Sequence, residues 1–292
     1  MELPFSAERN TISLPKSSLI IATYNSLEFL RVVLETALEQ TRLPDEIIIA
    51  DDGSREDTAA LVRKFAAGSP VPLLHAWQPD EGFRLARSRN NAIAASTGEY
   101  LIFIDGDCFL NRFFVEDHLS LVEENFYIVG TRVNIGPRRR DHVLRTGHRR
   151  ISFWSWGTHK KFHAIRSRFL SNFRKKGGMA GANFSAWRKD IVRINGFNEI
   201  FEGHGGEDWE LASRLERSGM RRKKMVHLGI AYHFAHPENP RGDGDRISRI
   251  YADSVDEQGI RCKHGLDRAV KNGINILNNK TLFDQRAHQK GA

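Results

Sequence analysis

Two carboxylates stand one residue apart in Asp105-Gly106-Asp107, directly after the apolar run from Leu101 to Ile104. At the end of a strand, one carboxylate of such a pair can form a hydrogen bond with a ribose while the other binds a divalent cation. Mg²⁺ and Mn²⁺ prefer carboxylate oxygens and bind phosphates at the same time. An isolated Asp-x-Asp more often marks a turn, so it is the preceding apolar strand that favours a cation site here.

A second acidic group follows two glycines in the stretch 205–210, Gly-Gly-Glu-Asp-Trp-Glu. Glu207 and Asp208 begin a predicted helix, and acidic side chains in a first turn commonly stabilise the helix dipole. A carboxylate in this place can also act as a general base that takes the proton of an attacking sugar hydroxyl. The glycines would let the backbone approach a substrate closely. The pattern alone leaves both interpretations open.

Histidines and arginines supply further groups able to bind metals or anions. His233 and His236 follow an apolar run, and neutral imidazole is the commonest metal ligand among side chains. His233 is the better candidate because it ends the run directly. The segment from Gly82 to Asn90 contains three arginines, among them Arg89, whose guanidinium forks suit phosphates. A structural or surface role remains the alternative for each of these side chains.

These groups need a framework that brings them together. Alternating apolar runs and helical periodicities predict strands at 18–23, 46–50, 71–77 and 100–104, with helices at 27–39, 56–65 and 84–95. This alternation is typical of βαβ units around a parallel sheet, and therefore of an α/β fold. Ligands of such sheets gather at the carboxyl edge, where three runs end in Thr23-Tyr24-Asn25, Asp51-Asp52 and Asp105-Gly106-Asp107.

The second half of the chain has weaker periodicity. It predicts a strand at 183–186, helices at 189–194 and 207–218, and a last strand at 225–232. We expect the tail from Arg241 onwards to be polar and irregular.

The net charge of +8 is unevenly distributed. Residues 137–176 carry nine arginines and four lysines against one acid, a net charge of +12, which leaves −4 for the rest of the chain. Aromatic residues lie among these basic ones, at Phe153, Trp154, Trp156, Phe162, Phe169 and Phe173. The mixture favours a membrane-surface patch or a site for an anionic acceptor over a nucleic-acid interface, for which no motif is present. A solvated helical insertion is the alternative.

The compartment is predicted from what the sequence contains. Two cysteines, Cys108 and Cys262, lie far apart and fit a reducing environment. The first residues show no signal-peptide pattern, and no apolar run approaches the roughly 20 residues that span a bilayer. We expect a cytoplasmic protein, with peripheral contact to the membrane through residues 137–176.

Taken in order, these motifs resemble glycosyltransferase family 2. The matching segments are Ile20–Asn25, Ile49–Ser54, Gly82–Asn90 and Asp105–Asp107, while Gly177–Glu210 resembles chondroitin-polymerase-like enzymes and animal β-1,4-galactosyltransferases. The resemblance covers about residues 18–236 and implies a GT-A fold, a Rossmann-like nucleotide-sugar-binding sheet flanked by helices. It implies one catalytic domain over 1–240 and a polar C-terminal extension over 241–292. Within that domain it implies a nucleotide-sugar-binding half (18–130) and an acceptor half (177–240). The basic aromatic insertion between them (131–176) departs from the compact members of the family, so the resemblance does not identify the acceptor.

The resemblance also implies a role for each candidate residue. Positions that hold the nucleotide base and ribose are matched by Thr23, Tyr24, Asp51 or Asp52, and Arg89, with Asn25 and Gly82 at the same rim. Asp105 matches a contact to ribose or phosphate, and Glu207 a contact to a sugar. Asp107 and His233 match metal ligands. Because His236 lies only three residues further on, either histidine or both could bind the metal. Asp208 matches the catalytic base.

The function implied is transfer of a hexose or N-acetylhexosamine from a nucleotide sugar, with UDP as the expected nucleotide. Inversion at the sugar, a Mn²⁺ or Mg²⁺ ion and a glycan or lipid-linked acceptor belong to the same expectation, with bacterial surface polysaccharide or lipopolysaccharide as the product. A nucleotidyltransferase is an alternative, although its glycine-rich basic signature is missing. A dinucleotide oxidoreductase lacks its Gly-x-Gly-x-x-Gly after the first strand. A non-enzymatic module binding membranes or polyanions would leave the ordered acidic loops unexplained.

Overall fold

The computed structural model describes residues 14–151, 154–159, 161–169, 181–236, 244–256, 259–271 and 276–277. The strands are β1 (Ser17–Thr23), β2 (Glu46–Asp51), β3 (Leu73–Trp77), β4 (Tyr100–Asp105), β5 (Cys108–Leu110), β6 (Phe126–Val129), β7 (Arg132–Ile135), β8 (Thr158–His159), β9 (Asn183–Trp187), β10 (Arg221–Lys224), β11 (Ala231–Phe234) and β12 (Ile276–Leu277). The α-helices are α1 (Leu27–Leu38), α2 (Glu56–Gly68), α3 (Leu85–Ala95), α4 (Phe114–Leu119), α5 (Pro137–Thr146), α6 (Arg188–Arg193), α7 (Glu207–Arg217), α8 (Gly244–Asp256) and α9 (Leu266–Lys271), and a 3₁₀ helix spans Lys161–Ala164.

An eight-stranded sheet in the order β10-β6-β9-β4-β1-β2-β3-β12 forms the centre of the fold. Strands β4, β1, β2 and β3 are parallel, as the βαβ pattern predicts, whereas β9 runs antiparallel to β4. Alternate residues of β1 enter two cores, Leu19 and Ile21 with α1 and Ile20 with α3 and α7. Because helices cover both faces, the central strands are apolar along their whole length.

The register of the parallel strands sets the position of the polar residues. Ala22 pairs with Asp105, Thr23 pairs with Asp51, and Asp51 pairs with Trp77. Three strands therefore end at the same level, and the loops that follow them form one edge. The sequence-based placement of these loops is confirmed.

A second sheet, in the order β5-β11-β7-β8, lies beyond the end of β4. Strand β11 pairs antiparallel with β5, so that His233 lies opposite Cys108. The backbone N–H of Phe234 also donates to the carbonyl oxygen of Asp107 over 3.0 Å. This pairing brings His233, from the second half of the chain, to the loop that follows β4.

The prediction of one strand over 225–232 is wrong. The chain forms β10 before this stretch and β11 at its end, and the residues between them form a buried loop. His227 and Gly229 there have φ values of 66° and 52°, which an extended strand does not allow. The apolar residues that suggested a strand, such as Leu228 and Ile230, are buried in this loop.

The tail also differs from its predicted irregular structure, because it contains α8 and α9. Leu266 and Ala269 of α9 are buried in the core on the α3 face. Within residues 137–176, α5 follows two strands, β6 and β7, that the sequence analysis did not predict; residues 170–176 lie outside the described part of the chain. None of the described helices is long and apolar enough to cross a bilayer.

Candidate active site

Asp107, His233 and His236 form one cluster of possible metal ligands. Asp107 Oδ2 lies 3.0 Å from Nε2 of His236 and 3.4 Å from Nε2 of His233. One ligand atom from each residue lies within 4.8 Å of the other two. A carboxylate oxygen and two imidazole nitrogens this close together are a donor set that fits a divalent cation. The structure therefore brings both histidines, not His233 alone, to Asp107.

The electrostatics of Asp107 also suit a cation. Burial raises the pKa of this carboxyl, but hydrogen bonds from His233 and His236 outweigh burial and hold the pKa well below its usual range. The thiol of Cys108 donates a further hydrogen bond to Asp107 Oδ1 over 3.1 Å. The carboxylate is therefore charged at neutral pH.

Gly106 explains how the loop after β4 turns so tightly. Its N–H donates to the carbonyl oxygen of Ala22 over 2.6 Å, and a Cβ atom at this position would lie 2.6 Å from that oxygen. A side chain would therefore push the loop away from the end of β1. The glycine between the two aspartates keeps both of them at the sheet edge.

Arg89 connects the loop after β4 to the start of α7. Its guanidinium donates to Asp105 Oδ1 over 2.8 Å and to Glu207 Oε1 over 3.1 Å, and it is only 2% exposed. The guanidinium also lies 5.2 Å from the ring centroid of Phe197. Two acidic segments about a hundred residues apart in sequence thus bind the same buried guanidinium.

Glu207 combines deep burial with an unused oxygen. Burial raises its pKa to about 7, although the neighbouring Arg89 lowers it and Asp208 raises it. Glu207 Oε2 is buried and has no hydrogen-bond partner among the described residues. A buried carboxylate oxygen without a partner is costly unless a ligand supplies one, so this atom is a candidate contact for a substrate hydroxyl.

Asp208 lies beside this cluster. Its Oδ2 accepts a hydrogen bond from the N–H of Gly181 over 2.7 Å, and its Oδ1 accepts one from the N–H of Trp209 over 2.8 Å. Burial raises its pKa, these backbone donors and Arg89 lower it, and the charge of Asp105 raises it further. The carboxylate is thus oriented and electrostatically coupled to the loop that carries Asp105 and Asp107.

The glycines before α7 have a steric role. Gly206 has a φ of 93°, and a Cβ atom there would lie 2.7 Å from Ile247 of α8 and 2.8 Å from the ring of Phe201. A Cβ atom at Gly181 would lie 3.1 Å from the Cβ atom of Asp208, a closer approach than most side chains make. The glycines at 177 and 178 lie outside the described residues.

The loop after β1 supplies Thr23, Tyr24 and Asn25 to the same edge. Thr23 is buried and its Oγ1 has no hydrogen-bond partner among the described residues. Tyr24 is 43% exposed, and its hydroxyl donates to Asp80 Oδ2 over 2.9 Å. Asn25 has a φ of 46°, which turns the chain out of the strand into α1. An exposed ring beside an unpaired hydroxyl is a suitable surface for a nucleoside.

The two aspartates after β2 have different surroundings. Asp51 is fully buried, and its oxygens accept from the N–H of Ser54 over 2.8 Å and contact Nε2 of His75 at 2.7 Å. Asp52 accepts from Gln78 Nε2 over 2.6 Å and from the N–H of Arg84 over 2.8 Å. Burial raises the pKa of Asp52 to about 6. The hydrogen bonds of Asp51 are thus directed into the protein.

The remaining two donor-site candidates also occupy distinct places. Gly82 lies in an exposed loop with a φ of 87°, and its N–H donates to Asp80 Oδ1 over 3.2 Å. Arg89, predicted from the resemblance to contact the nucleotide, directs its guanidinium at Asp105 and Glu207. Burial is the reason, since a buried guanidinium requires carboxylate partners. A contact of Arg89 with the nucleotide stays a prediction.

Three residues of this edge were missed by sequence reasoning: His75, Gln78 and Glu202. Gln78 directly follows β3, whereas His75 lies in the middle of that strand. Glu202 forms an ion pair with Arg84 from the other half of the chain. The position of Gln78 after a predicted strand could have identified it, but no local pattern identifies His75 or Glu202.

A family model decides the identity of the chain. The model for glycosyl transferase family 2 matches residues 18–190, which is more than half of the sequence. The chain belongs to glycosyltransferase family 2. A second model, for the N-terminal domain of galactosyltransferase, matches residues 160–237 and therefore includes Asp208, His233 and His236. The resemblance inferred from the motifs is confirmed.

Curated relatives of this family 2 chain include much longer proteins. The chondroitin synthase of Escherichia coli is 25% identical over 268 residues, which are 84% of this chain and 38% of that protein. The validoxylamine A glucosyltransferase of Streptomyces hygroscopicus subsp. limoneus is 26% identical over 227 residues, 72% of this chain and 50% of that protein. The chain thus spans half or less of the length of these relatives.

Solved structures establish the fold of the family 2 chain. The mannosyltransferase PcManGT from Pyrobaculum calidifontis, in complex with GDP-Man and Mn²⁺, has a TM-score of 0.55 at 20% identity, over 78% of this chain and 59% of that one. Residues 1–349 of S. aureus TarS in complex with UDP-GlcNAc have a TM-score of 0.60 at 15% identity, over 87% and 69%. The prediction of a GT-A fold is confirmed.

Proposed function

We propose that this chain is an inverting, divalent-metal-dependent glycosyltransferase that moves a hexose or N-acetylhexosamine from a UDP-sugar to a glycan or lipid-linked acceptor. One observation carries the proposal, namely the buried ion pairs of Arg89 with Asp105 and with Glu207. They join the loop that carries Asp107 to the first turn of α7, which also contains the candidate base Asp208. A metal, a diphosphate and an attacking hydroxyl would therefore meet in one place.

Asp208 is the proposed general base. It would take the proton of an acceptor hydroxyl while that oxygen bonds to the anomeric carbon and the bond from this carbon to the diphosphate breaks. A single displacement of this kind inverts the configuration of the sugar. The raised pKa of Asp208 suits the task, because a base works best when its pKa approaches the operating pH. The N–H groups of Gly181 and Trp209 hold the carboxylate in position.

The cation site of the proposal consists of Asp107, His233 and His236. A bound divalent ion supplies charge to stabilise the departing diphosphate. Two imidazoles among three ligands favour Mn²⁺ over Mg²⁺, since Mg²⁺ prefers oxygen ligands. The presence of Mn²⁺ in the PcManGT complex supports this choice.

The donor would lie along the sheet edge from Tyr24 to Asp105. Thr23 Oγ1 and Glu207 Oε2 are buried polar atoms of this edge that have no partner among the described residues, and a nucleoside and a sugar hydroxyl would satisfy them. Asp52 and Tyr24 would contact the base and ribose, with Asn25, Asp51 and Gly82 shaping the loops around them. Support for UDP comes from TarS, whose complex contains UDP-GlcNAc.

The setting of the reaction belongs to the same proposal. Both cysteines of the chain are free and buried, as expected in the reducing cytoplasm. The relatives include a bacterial chondroitin synthase, which supports a polysaccharide or lipopolysaccharide product in bacteria. Nucleic acid has no part in the proposal.

A panel of nucleotide sugars tests the proposal. The purified chain is incubated with each UDP- and GDP-sugar in Mn²⁺, and mass spectrometry records donor hydrolysis. We expect hydrolysis of a UDP-sugar that stops with EDTA and returns with Mn²⁺. Hydrolysis that is undiminished in EDTA would remove the metal from the mechanism. Thermal stabilisation by polyanions, and by none of UDP, GDP and NAD with Mn²⁺, would favour a binding module instead.

A further inference from the structure

Four aromatic side chains with large exposed areas lie within 16 residues of one another, at Trp154, Trp156, Phe162 and Phe169. Their exposed fractions run from 61% for Trp156 to 102% for Phe169. Among the described residues, only Tyr24 and Trp209 are other exposed aromatics, and both lie beside the candidate active site. Burying such side chains is worth about 1.5–3 kcal/mol each, so their exposure together indicates a binding surface.

The segment that carries these aromatics is anchored to the body of the protein. Strand β8 pairs with β7, and Arg166 forms an ion pair with the buried Asp117 at 2.6 Å. The N–H of Ser167 donates to the carbonyl oxygen of His227 over 3.0 Å. The backbone is therefore held by several tertiary contacts, while each of the four aromatic side chains keeps more than half of its surface exposed.

Positive charge lies in the same stretch of the chain as the aromatics. Arg138, Arg145, Arg150 and Arg168 have exposed side chains there, and the guanidinium of Arg138 lies 5.6 Å from the ring centroid of Trp156. Arg168 also lies 3.6 Å from the carboxylate of Glu116. The one acid of the region, Asp141, is paired with Arg140. We call these four aromatics and four exposed arginines the basic aromatic surface.

This surface adjoins the candidate metal site. Arg140 of α5 donates to the carbonyl oxygen of Ala235 over 2.6 Å, and Ala235 precedes the metal-ligand candidate His236. The N–H of Gly136 donates to the carbonyl oxygen of Gly157, which joins the start of α5 to the aromatic segment. A partner bound here would be close to the candidate metal site.

We infer that the basic aromatic surface binds the anionic face of a lipid bilayer. Aromatic side chains partition into the headgroup region of a bilayer, and arginines are attracted by anionic lipids. An anionic glycan is the competing partner, but sugar sites are concave and shelter their aromatic rings. A fully exposed Phe169 has no such shelter. The inference is independent of the proposed transfer reaction, whose failure would leave it intact.

Vesicle sedimentation tests the inference. The full chain is mixed with vesicles of phosphatidylcholine alone or of equimolar phosphatidylethanolamine and phosphatidylglycerol, without any sugar donor. We expect binding to the anionic vesicles only, and weaker binding at high salt. The double variant Trp154→Ser/Phe169→Ser should lower the partition coefficient by about tenfold for each aromatic ring that inserts into the bilayer in the wild type. Arg145→Glu/Arg150→Glu should weaken it by about fivefold or more for each arginine.

Matched controls isolate the surface. Val270→Ser removes an exposed apolar side chain of α9, and Lys16→Glu/Lys64→Glu makes the same charge change at exposed positions elsewhere. We expect Val270→Ser to bind as the wild type does, and the lysine variant to lose much less binding than the arginine variant.

Far-ultraviolet circular dichroism and thermal unfolding check that each variant is folded. If the double aromatic variant is unstable, the single variant Phe169→Ser replaces it in the binding assay. Failure to bind anionic vesicles, or undiminished binding by the aromatic variants, would overturn the inference. Binding to dextran sulfate in preference to vesicles would overturn it in favour of a glycan.

Discussion

Replacing Arg89 with methionine perturbs the centre of the proposed site with little change in side-chain volume. The guanidinium is 2% exposed and bound to Asp105 and Glu207, so its removal leaves a buried carboxylate without its cation. Breaking a buried ion pair in this way costs about 3–5 kcal/mol of unfolding free energy. We expect Arg89→Met to lose an amount in this range at about pH 8, where Glu207 is charged, since its pKa is about 7.

The pH dependence of this loss follows from Glu207. Its folded pKa is raised above the ordinary value, so charging it penalises the folded state as the pH rises from about 4.5 to 7 and the penalty is complete above. Without Arg89 this pKa rises further, which adds about 1.4 kcal/mol at high pH for each unit. Near pH 5.5 Glu207 is protonated in the fold, so we expect the cost of Arg89→Met to be at least about 1 kcal/mol smaller there.

Urea unfolding followed by circular dichroism at the two pH values measures both quantities. Arg87→Met on the same helix is the control, because Arg87 pairs with the half-exposed Glu81 and such surface pairs contribute about 0–1 kcal/mol. The double variant Arg89→Met/Glu207→Gln should recover part of the loss at high pH. A loss below about 1 kcal/mol, or one that is equal at both pH values, would refute the electrostatic account of Arg89.

Three other predictions concern single residues of the site. Gly206→Ala should lower the free energy of unfolding by several kcal/mol and remove most of the activity, because its Cβ atom would lie 2.7 Å from Ile247 and its φ is 93°. A variant that is as stable and as active as the wild type would contradict the close packing of α8. The kcat/KM of sugar transfer should fall as the pH drops below about 7, because Glu207 then takes up a proton. In Glu207→Gln this fall should occur at lower pH. If the fall occurs at the same pH in the variant, Glu207 is excluded as its cause. His233→Ala and His236→Ala should each weaken Mn²⁺ binding, measured by electron paramagnetic resonance, by about tenfold or more; a normal affinity in one variant would remove that histidine from the ligand set.

The first half of the fold could be predicted because its strands are buried on both faces and its helices alternate with them. Given a parallel sheet, the position of polar residues at strand ends follows from topology, and this placed Thr23, Asp51 and Asp105 on one edge. Side-chain direction could not be predicted in the same way. Asp51 and Arg89 carry the expected residue types, but burial turns one towards His75 and the other towards Asp105.

The second half was less predictable because its contacts are long-range. His236 lies beside Asp107 through the pairing of β11 with β5, and no local periodicity encodes that pairing. A buried loop and a buried strand are both apolar, so the stretch 225–232 was assigned the wrong structure. The helix α8 has Ile247, Ile250 and Tyr251 at helical spacing, a signal that was overlooked within the polar tail, and Ile247 packs against Gly206.

Asp208→Asn gives the most direct test of the central claim, that separate acidic and imidazole side chains make one site for inverting transfer. The measurement is kcat for transfer of the sugar to its acceptor, with the affinity for UDP and Mn²⁺ determined in parallel by calorimetry. The account predicts a loss of about 10²–10⁴ in kcat, the usual contribution of a general base, with the affinity for UDP and Mn²⁺ retained. Transfer at the wild-type rate by the folded variant would contradict it.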